Sequence, residues 1–392
     1  MFIARVRGAC AREIDYLRGH PWDLALISWF PALMMALTWA IFAQGINVKL
    51  PLALVDEDHS PGSRRLAVAI EAARATAIAA RTATLEEAWP LVRELKAYAV
   101  LHVPPDWERR AQRGDRLPVV LYTNEQFHAA ATSIATDVRG ALLSVAGGKA
   151  AGSLAVLGGG FAGAERRAGA VRVELRTLYG PQLSFERALA GAILPALLHL
   201  VVLAGAAYAI GREFRDGTAA GWLASAQGSM PAALLGKLLP LLLFASALAL
   251  GSIAWMAGYR GWTANGSVLV WCLGLLTLVI ACCALPALLV GLTGTLRLAL
   301  AGLAIANITA VSFTGFTYPL FSMTTAAKVW GSVLPFVYFY KIQQQQWNLG
   351  APLAASAVPF AVLWGVFIAA PLAIGVPLLA KLCRTPEKWG KR

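Results

Sequence analysis

A short charged segment, Gly211-Arg212-Glu213-Phe214-Arg215-Asp216-Gly217-Thr218, separates two long apolar runs of this chain. The run before it covers 188–210, and the run after it covers 233–257. Each is long enough to cross a bilayer as a helix, which takes about 20 residues. The segment is therefore predicted to connect two membrane spans, and these spans set the fold class.

Four more apolar runs of this length occur, and the composition agrees with them. The chain is 58% hydrophobic and 14% charged, whereas soluble domains have about 25% charged residues. The fold class predicted is an α-helical integral membrane protein with six transmembrane helices. The long flank before the first run favours a retained anchor over a signal peptide. The runs cover 24–43, 188–210, 233–257, 267–292, 297–320 and 354–380.

Lysine and arginine residues near the span ends are distributed unevenly over the two sides of the predicted membrane. Cytosolic loops carry the excess, so both termini are predicted to be cytosolic and residues 44–187 to lie outside. The basic residues of the cytosolic side are Arg5, Arg7, Arg12, Arg18, Arg212, Arg215, Lys237, Arg297, Lys381, Arg384, Lys388, Lys391 and Arg392, against Arg260, Lys328 and Lys341 in the short loops of the other side.

The net charge is +13. Because the basic residues flank apolar runs, anionic lipid head groups are predicted to be their counter-ions, and no nucleic-acid partner is predicted. Residues 1–23 alternate apolar and basic side chains, which favours an amphipathic helix on the cytosolic membrane surface. A disordered basic tail is the alternative for this segment. Residues 384–392 are predicted to form a second basic cytosolic tail. No cysteine lies between residues 44 and 185, which argues against a disulfide framework.

Residues 44–187 are predicted to form a periplasmic α/β domain between the first and second spans. A strand is expected at 52–55, followed by a helix through Glu71 that Ser60-Pro61 caps and begins. Thr84-Leu85-Glu86-Glu87 matches the capping box of a second helix. Further strands are expected at 76–80, 98–103, 117–122 and 171–175, with helices at 105–112 and 125–154.

The residues indicate no enzyme. The sequence has no Gly-x-x-x-x-Gly-Lys-Ser/Thr loop, so the chain is predicted not to hydrolyse ATP itself. It has no nucleophile elbow and no His-Glu-x-x-His motif, so no catalytic residue is predicted. The acidic residues at 56–58 with His59 fit a solvated turn better than a metal site. No metal or cofactor is predicted in this chain.

An ion-coupled carrier is also disfavoured. Such carriers usually place carboxylates inside the membrane, and no Asp or Glu lies within the interior of any apolar run. His199 lies deep in the second run. It either lines a substrate path or is a neutral histidine hydrogen-bonded to a neighbouring helix.

The charged segment and its surroundings resemble the coupling region of ABC-2 type exporter permeases. In that family Arg-Glu, Gly-Thr, Pro and Gly-Lys follow in order. This chain has Arg212-Glu213, Gly217-Thr218, Pro231 and Gly236-Lys237. Without the resemblance, a solvated loop would be the favoured explanation of the charges.

Three other segments extend the resemblance. Residues 55–60 are similar to the start of the external domain of multidrug-type members, and 178–181 to a Tyr-Asn-Pro segment, with Gly180 in place of the Asn. Residues 316–319 with Leu334-Pro335 resemble a re-entrant region between the fifth and sixth spans. Met323-Thr324 stands where the family often has Met-Pro. A plain external loop with an aromatic belt is the alternative for 318–340.

The resemblance implies the permease subunit of an ATP-driven ABC exporter in the bacterial inner membrane, moving an amphipathic, drug-like or lipid-like substrate outward. It implies residues 188–383 for the second to sixth spans, with a coupling segment at 211–232. ATP and Mg²⁺ would be bound by a partner ABC ATPase, and a second permease subunit would complete the transporter. A periplasmic adaptor is a further partner to test for. The alternative is a non-transporting membrane subunit that transmits an ATPase signal to envelope partners.

The resemblance also assigns roles to individual residues. The extracellular gate would lie in the re-entrant region. His199 is the candidate for the transport pathway because of its position deep in the second run, not because of the resemblance. The ATPase-coupling residues would be Arg212, Glu213, Phe214, Arg215, Asp216, Gly217 and Thr218, and the gate residues Tyr318, Pro319, Pro335, Phe336 and Tyr338.

Overall fold

A computed structural model describes residues 1–42, 48–113, 119–123, 127–156, 185–316 and 320–389. The chain divides into two compact units. One consists of Met1–Ala43 and Tyr179–Arg392, and the other is Gln44–Leu178. The prediction of a strand at 171–175 and the matched segment at 178–181 lie outside the described residues.

The α-helices are numbered along the chain. They are α1 Phe2–Gly19, α2 Pro21–Ile27, α3 Trp29–Phe42, α4 Pro61–Glu71, α5 Leu85–Arg93, α6 Trp107–Arg113, α7 His128–Val156, α8 Phe185–Arg215, α9 Ala219–Ser225, α10 Met230–Ile253, α11 Val268–Thr293, α12 Leu296–Ala310, α13 Thr325–Ser332, α14 Pro335–Gln343, α15 Ala357–Val362 and α16 Ala370–Cys383. π-Helical turns extend α10 over Ala254–Tyr259 and α14 over Gln344–Leu349, and a third, Leu363–Ala369, joins α15 to α16.

Four helical stretches of the described residues are long and apolar enough to cross a membrane, and a bent pair makes a fifth. In that pair, Pro21–Ile27 and Trp29–Ala40 are bent by 44°. The prediction of a mostly helical chain with several membrane-length apolar helices is therefore confirmed. The four stretches are Gly191–Arg215, Met230–Tyr259, Val268–Thr293 and Leu353–Cys383.

Six spans were predicted, and the structure has up to five helical stretches of membrane length among the described residues. The difference lies in the predicted run at 297–320. Its helix, α12, has 15 residues, or about 22 Å at 1.5 Å per residue. This is shorter than a bilayer core of about 30 Å. The helix ends because the chain tightens into a 3₁₀ turn at Ser312–Thr314 and passes through Gly315, whose φ is 91°.

The membrane-length helices pack closely at small residues. A Cβ on Gly375 of α16 would lie 2.7 Å from the Leu288 nitrogen of α11. A Cβ on Gly211 of α8 would lie 2.7 Å from Leu296 Cδ1 at the start of α12. These approaches leave no room for a side chain, so the glycines set the distance between the helices.

The second unit contains a four-stranded sheet in the order β2-β1-β3-β4. Strand β1 pairs in parallel with β2 and β3, and β3 pairs antiparallel with β4. Side chains of α4 and α7, including Leu66, Ile70 and Ile134, form a buried cluster with residues of β1 and β3. The strands are β1 Leu50–Asp56, β2 Thr76–Thr82, β3 Ala99–Val103 and β4 Val120–Thr123.

The cap signals in this unit predicted its first helices correctly. The Ser60 hydroxyl accepts a hydrogen bond from the Ser63 N–H at the start of α4. Thr84 accepts from the Glu87 N–H at the start of α5. The Glu87 carboxylate accepts from the N–H of Ala83, one residue before the cap, so the contact is a variant of the capping box. Asp56 accepts hydrogen bonds from the backbone of Asp58 and His59, as in a turn.

Candidate functional site

The charged segment lies half inside and half outside the helical unit. Helix α8 continues through Arg215, so Arg212, Glu213 and Phe214 form its last turn rather than a separate loop helix. These three side chains are buried, whereas the residues from Arg215 to Thr218 are exposed. A separate short helix, α9, begins only after the charged segment, at Ala219.

Glu213 is bound by cations from two other helices. Arg12 of α1 donates two hydrogen bonds to it, from Nη1 to Oε1 at 2.8 Å and from Nη2 to Oε2 at 2.9 Å. Lys237 of α10 donates to Oε1 at 2.6 Å, and the Thr218 hydroxyl donates to Oε2 at 2.6 Å. The two-point contact with Arg12 fixes the orientation of the carboxylate.

Glu13, next to Arg12 on α1, has the complementary role. Arg212 Nη2 donates to both Glu13 oxygens, at 2.6 and 2.5 Å, and Lys237 Nζ donates to Oε2 at 2.8 Å. Lys237 therefore bridges Glu13 and Glu213, and is itself 2% exposed. We call Arg12, Glu13, Arg212, Glu213 and Lys237 the buried ion cluster.

Asp23 of α2 extends the cluster at one side. It accepts a 2.8 Å hydrogen bond from the Tyr16 hydroxyl and two of 3.3 Å from the Tyr208 hydroxyl. The Arg212 guanidinium lies 3.6 Å from the centre of the Tyr16 ring, a cation–π geometry. With Asp23 included, three cations face three carboxylates, so the group carries no net charge when all members are ionised.

The electrostatic contacts shift the titration of the α1 residues. The hydrogen bonds to Glu213 raise the pKa of Arg12 further above its ordinary value. Burial, with the hydrogen bond to Asp23, raises the pKa of the Tyr16 hydroxyl. Both side chains therefore keep their protons through the physiological range, and the hydrogen bonds that they donate persist there.

Glycines allow α1 to approach close enough for these contacts. A Cβ on Gly236 would lie 2.5 Å from the Val6 carbonyl oxygen and 2.6 Å from Ala9 Cβ. A Cβ on Gly8 would lie 2.6 Å from the carbonyl oxygen of Ser225, the last residue of α9. Helix α1 thus packs directly on the backbone of α9 and α10, which places Arg12 and Glu13 next to Lys237.

A glycine turn within the exposed half of the segment ends α8. Gly217 has a φ of 73°, and the Thr218 N–H donates to the Glu213 carbonyl at 2.9 Å. This matches the Schellman ending of a helix, which favours glycine in the left-handed position. Just before this glycine, Arg215 pairs with Asp216 at 2.7 Å on the surface.

Phe214 anchors the following helix. Its ring lies 6.5 Å from the Trp222 ring of α9 and 6.3 Å from the Trp389 ring, both nearly perpendicular. Trp222 is fully buried, and its indole N–H donates to the Ala233 carbonyl of α10 at 3.0 Å. Helix α9 is therefore held against α8 and α10 beside the buried ion cluster.

Two separately predicted residues, His199 and Phe336, are neighbours. His199 is buried, its Nδ1 lies 3.0 Å from Asn307 Oδ1 of α12, and its ring centre lies 5.4 Å from that of Phe336. Its Nε2 has no hydrogen-bond partner among the described residues. A contact with a neighbouring helix, one of the two interpretations of His199, is present; a pathway role stays a prediction.

The rest of the predicted gate is described in part. Pro335 begins α14 and is buried, and the Tyr338 hydroxyl donates to the Ser332 carbonyl at 3.2 Å. The Tyr338 ring lies 5.6 Å from that of Phe367. Tyr318 and Pro319 lie outside the described residues. The gate role of these residues stays a prediction.

Sequence reasoning did not identify Glu13, Asp23 or Tyr208 as site residues, and it used Lys237 only within the motif and the charge count. Lys237 lies inside the apolar run 233–257, where a charge signals a buried partner. That signal could have found the cluster, but it does not say which carboxylates pair with the lysine. The coupling role of the segment stays a prediction.

The comparisons with known proteins bear on the whole chain. A family model described as ABC-2 family transporter protein matches residues 21–376. A search of curated proteins gave no match. The matched range contains α2, the charged segment, the second unit and the membrane-length helices except the end of α16, which continues to Cys383. The chain belongs to the ABC-2 family of transporter membrane proteins.

Proposed function

We propose that this chain is the permease subunit of an ATP-driven ABC exporter of the bacterial inner membrane, with both termini in the cytosol and residues 44–187 in the periplasm. Six spans per chain, a second permease subunit and a separate ATPase complete the proposal. The substrate class is an amphipathic, drug-like or lipid-like molecule moved outward. ATP and Mg²⁺ belong to the ATPase.

The observation that carries the proposal is the buried ion cluster beside an exposed turn. Helices α1, α8 and α10 are tied by charged hydrogen bonds of 2.5–2.9 Å. A force applied to Arg215, Asp216, Gly217 or α9 would therefore reach three helices together. An ATPase that docks on this turn could move them as one block when it closes on ATP.

The exposed turn also has the features of a docking surface. Arg215 and Asp216 offer one charge of each sign, and exposed glycines at 217, 221 and 228 permit close approach by a partner. Paired charges at an interface give orientation and specificity more than affinity.

The proposed periplasmic location of residues 44–187 leaves them available to an adaptor.

The test is reconstitution with the companion ATPase in liposomes. ATP-dependent movement of a fluorescent phospholipid analogue or a cationic amphipathic dye is expected from the pair and from neither chain alone. Uphill transport by this chain alone, or failure of any ATPase to co-purify with it, would contradict the proposal. ATP hydrolysis that changes with periplasmic partners but moves no probe would instead favour the signal-transmitting alternative.

A further inference from the structure

A cavity of about 210 Å³ lies between α1 and α2 on one side and α8, α10 and α12 on the other. Most of its wall is apolar, and one end is polar. Leu26, which is half exposed, lines the cavity and connects it with the surface. The apolar wall includes Leu17, Leu26, Ile27, Gly205, Leu241 and Leu300, and the polar end includes Glu13, Asp23, Tyr208, Arg212 and Lys237.

The polar end contains donors that the described residues leave unused. Both hydrogen bonds of Arg212 are made by Nη2, with Glu13. Its Nη1 lies 3.9 Å from Asp23 Oδ2, which is too long for a hydrogen bond. A guanidinium offers five N–H donors, so this 3% exposed arginine has donor capacity for a ligand in the cavity.

Asp23 provides the opposite charge next to that donor group. Its carboxylate accepts hydrogen bonds from two tyrosine hydroxyls but forms none with a cation at hydrogen-bond distance in the described part of the chain. A carboxylate has room for about four hydrogen bonds. It can therefore accept a further bond from a ligand ammonium.

The charge balance of the polar end decides between ligand classes. Glu13 and Asp23 offset Arg212 and Lys237, so the end has no excess charge of either sign. A purely anionic or purely cationic head group would meet one attractive and one repulsive neighbour at nearly the same distance. A head group with both charges satisfies Arg212 and Asp23 together.

We propose that this cavity binds a zwitterionic amphiphile of the phosphoethanolamine type. Its phosphate would accept hydrogen bonds from Arg212 Nη1, and its ammonium would donate to Asp23. The start of one acyl chain would lie along Leu17, Ile27 and Leu241. The volume is below the range of about 300–1,000 Å³ typical of drug sites, so the rest of the chain would extend past Leu26 into the bilayer.

This inference goes beyond export, because binding requires neither ATP nor the ATPase. The test uses the full chain purified in a neutral maltoside detergent and titrated with fluorescent lysophosphatidylethanolamine. Saturable binding is expected, with weaker binding of fluorescent lysophosphatidylglycerol. Soluble phosphoethanolamine, which lacks the chain, is expected not to compete at equal concentration.

Gly205→Leu is the cavity-filling variant. A Cβ at this position would meet Leu241 at 3.5 Å and Ile27 at 3.7 Å, which are ordinary contacts, so the added side chain extends into the cavity. Gly302→Leu is the matched control, since Gly302 is on a helix and faces open space. Binding is expected to weaken by about tenfold or more in Gly205→Leu and to be unchanged in Gly302→Leu.

Asp23→Asn tests the ammonium contact. We expect this variant to bind lysophosphatidylglycerol more tightly than lysophosphatidylethanolamine, the reverse of the wild-type preference. If Gly205→Leu fails to fold, Ala204→Phe fills the same cavity from the next residue of its wall. Full binding in a folded cavity-filling variant would overturn the proposal. Equal affinity of the wild-type chain for both head groups, or full competition by phosphoethanolamine, would also overturn it. None of these results depends on transport.

Discussion

Arg212 and Arg215 are three residues apart in one charged segment, but their side chains are 3% and 49% exposed. Arg212 pairs with Glu13, which is 199 residues away, whereas Arg215 pairs with its neighbour Asp216. The same residue type therefore holds helices together at one position and remains available to a partner at the other. The segment has a structural half, 212–214, and a surface half, 215–218.

The two halves of the segment separate the loss of a buried charge from the loss of an exposed ion pair, which the sequence motif does not distinguish. Loss of a buried charge leaves its partner without compensation, at a cost of about 3–5 kcal/mol. Loss of an exposed ion pair costs about 0–1 kcal/mol. Substitutions in the two halves should therefore differ most in stability, and surface substitutions are the ones that can report on coupling.

The largest difference is expected between Glu213→Ala and Asp216→Ala. Glu213→Ala leaves Arg12 and Lys237 without their shared carboxylate, and should lower the free energy of unfolding by about 3–5 kcal/mol. Asp216→Ala removes only the surface pair with Arg215. Thermal unfolding in detergent measures both variants; equal midpoints would contradict the structural role of 212–214.

Burial also changes what a charge reversal at Glu213 can report. Glu213→Arg would place a third cation against Arg12 and Lys237, so it should prevent correct packing of α1 rather than leave an inserted, uncoupled subunit. A loss of export in that variant would not test the coupling role. The surface half has to supply that test.

The next effect concerns the close approach of α1. Gly236→Ala should displace α1, because the new methyl group would lie 2.5 Å from the Val6 carbonyl oxygen, and overpacking of this kind costs about 1–3 kcal/mol. Gly221→Ala, on α9 with open space around it, is the control and should not destabilise the chain, because alanine favours a helix more than glycine does. Limited proteolysis near residue 19, together with unfolding midpoints, compares them. Unchanged protection of α1 in Gly236→Ala would argue against the packing.

A smaller effect on stability, with a large effect on coupling, is expected for Arg215→Glu. The variant should unfold within about 1 kcal/mol of wild type, since its pair with Asp216 is exposed. If the surface half seats in the ATPase, ATP-dependent export should fall several-fold at unchanged expression. The double variant Arg215→Asp with Asp216→Arg tests whether the order of the charges matters. Unaltered export in Arg215→Glu would count against docking at this turn.

The smallest effect is a pH dependence from Tyr16. Its pKa in the folded chain is raised above the ordinary value of 10.0, so between these two values the unfolded state has released a proton that the folded state retains. Stability is therefore fully present below pH 10 and should fall as the pH rises above it. Tyr16→Phe should flatten the fall measured between pH 8 and 11. Tyr259→Phe, at a side chain that is 78% exposed, is the control, and an equal flattening there would refute the assignment.

Much of the fold could be predicted from local signals. The caps at Ser60 and Thr84 begin helices where they were expected, because a side-chain oxygen near a helix start acts within a few residues. Apolar runs located the membrane-length helices because hydropathy is also a property of neighbouring residues. The run at 297–320 forms a helix of 15 residues, shorter than the apolar run, because hydropathy does not show where a helix tightens and ends, as α12 does before Gly315.

The site was less predictable than the fold. The sequence singled out Arg212 and Glu213 as charged residues of a connecting segment, and the structure buries both side chains among the helices. Hydropathy assigns each charge to water, whereas the cost of burial depends on whether an opposite charge is within hydrogen-bond distance. That condition is met here by Arg12 and Glu13, which belong to a helix with exposed apolar side chains on its other face.

By itself, the sequence determined the class of protein, because bilayer-length apolar runs are properties of contiguous residues. It also determined the order of helices and strands wherever caps and glycines act locally. The tertiary structure alone decided which charges are buried, because the pairs Arg12–Glu213, Arg212–Glu13 and Lys237–Glu13 join residues 201, 199 and 224 positions apart. Such pairs form only when α1, α8 and α10 pack, and their energies depend on distances that no local pattern encodes.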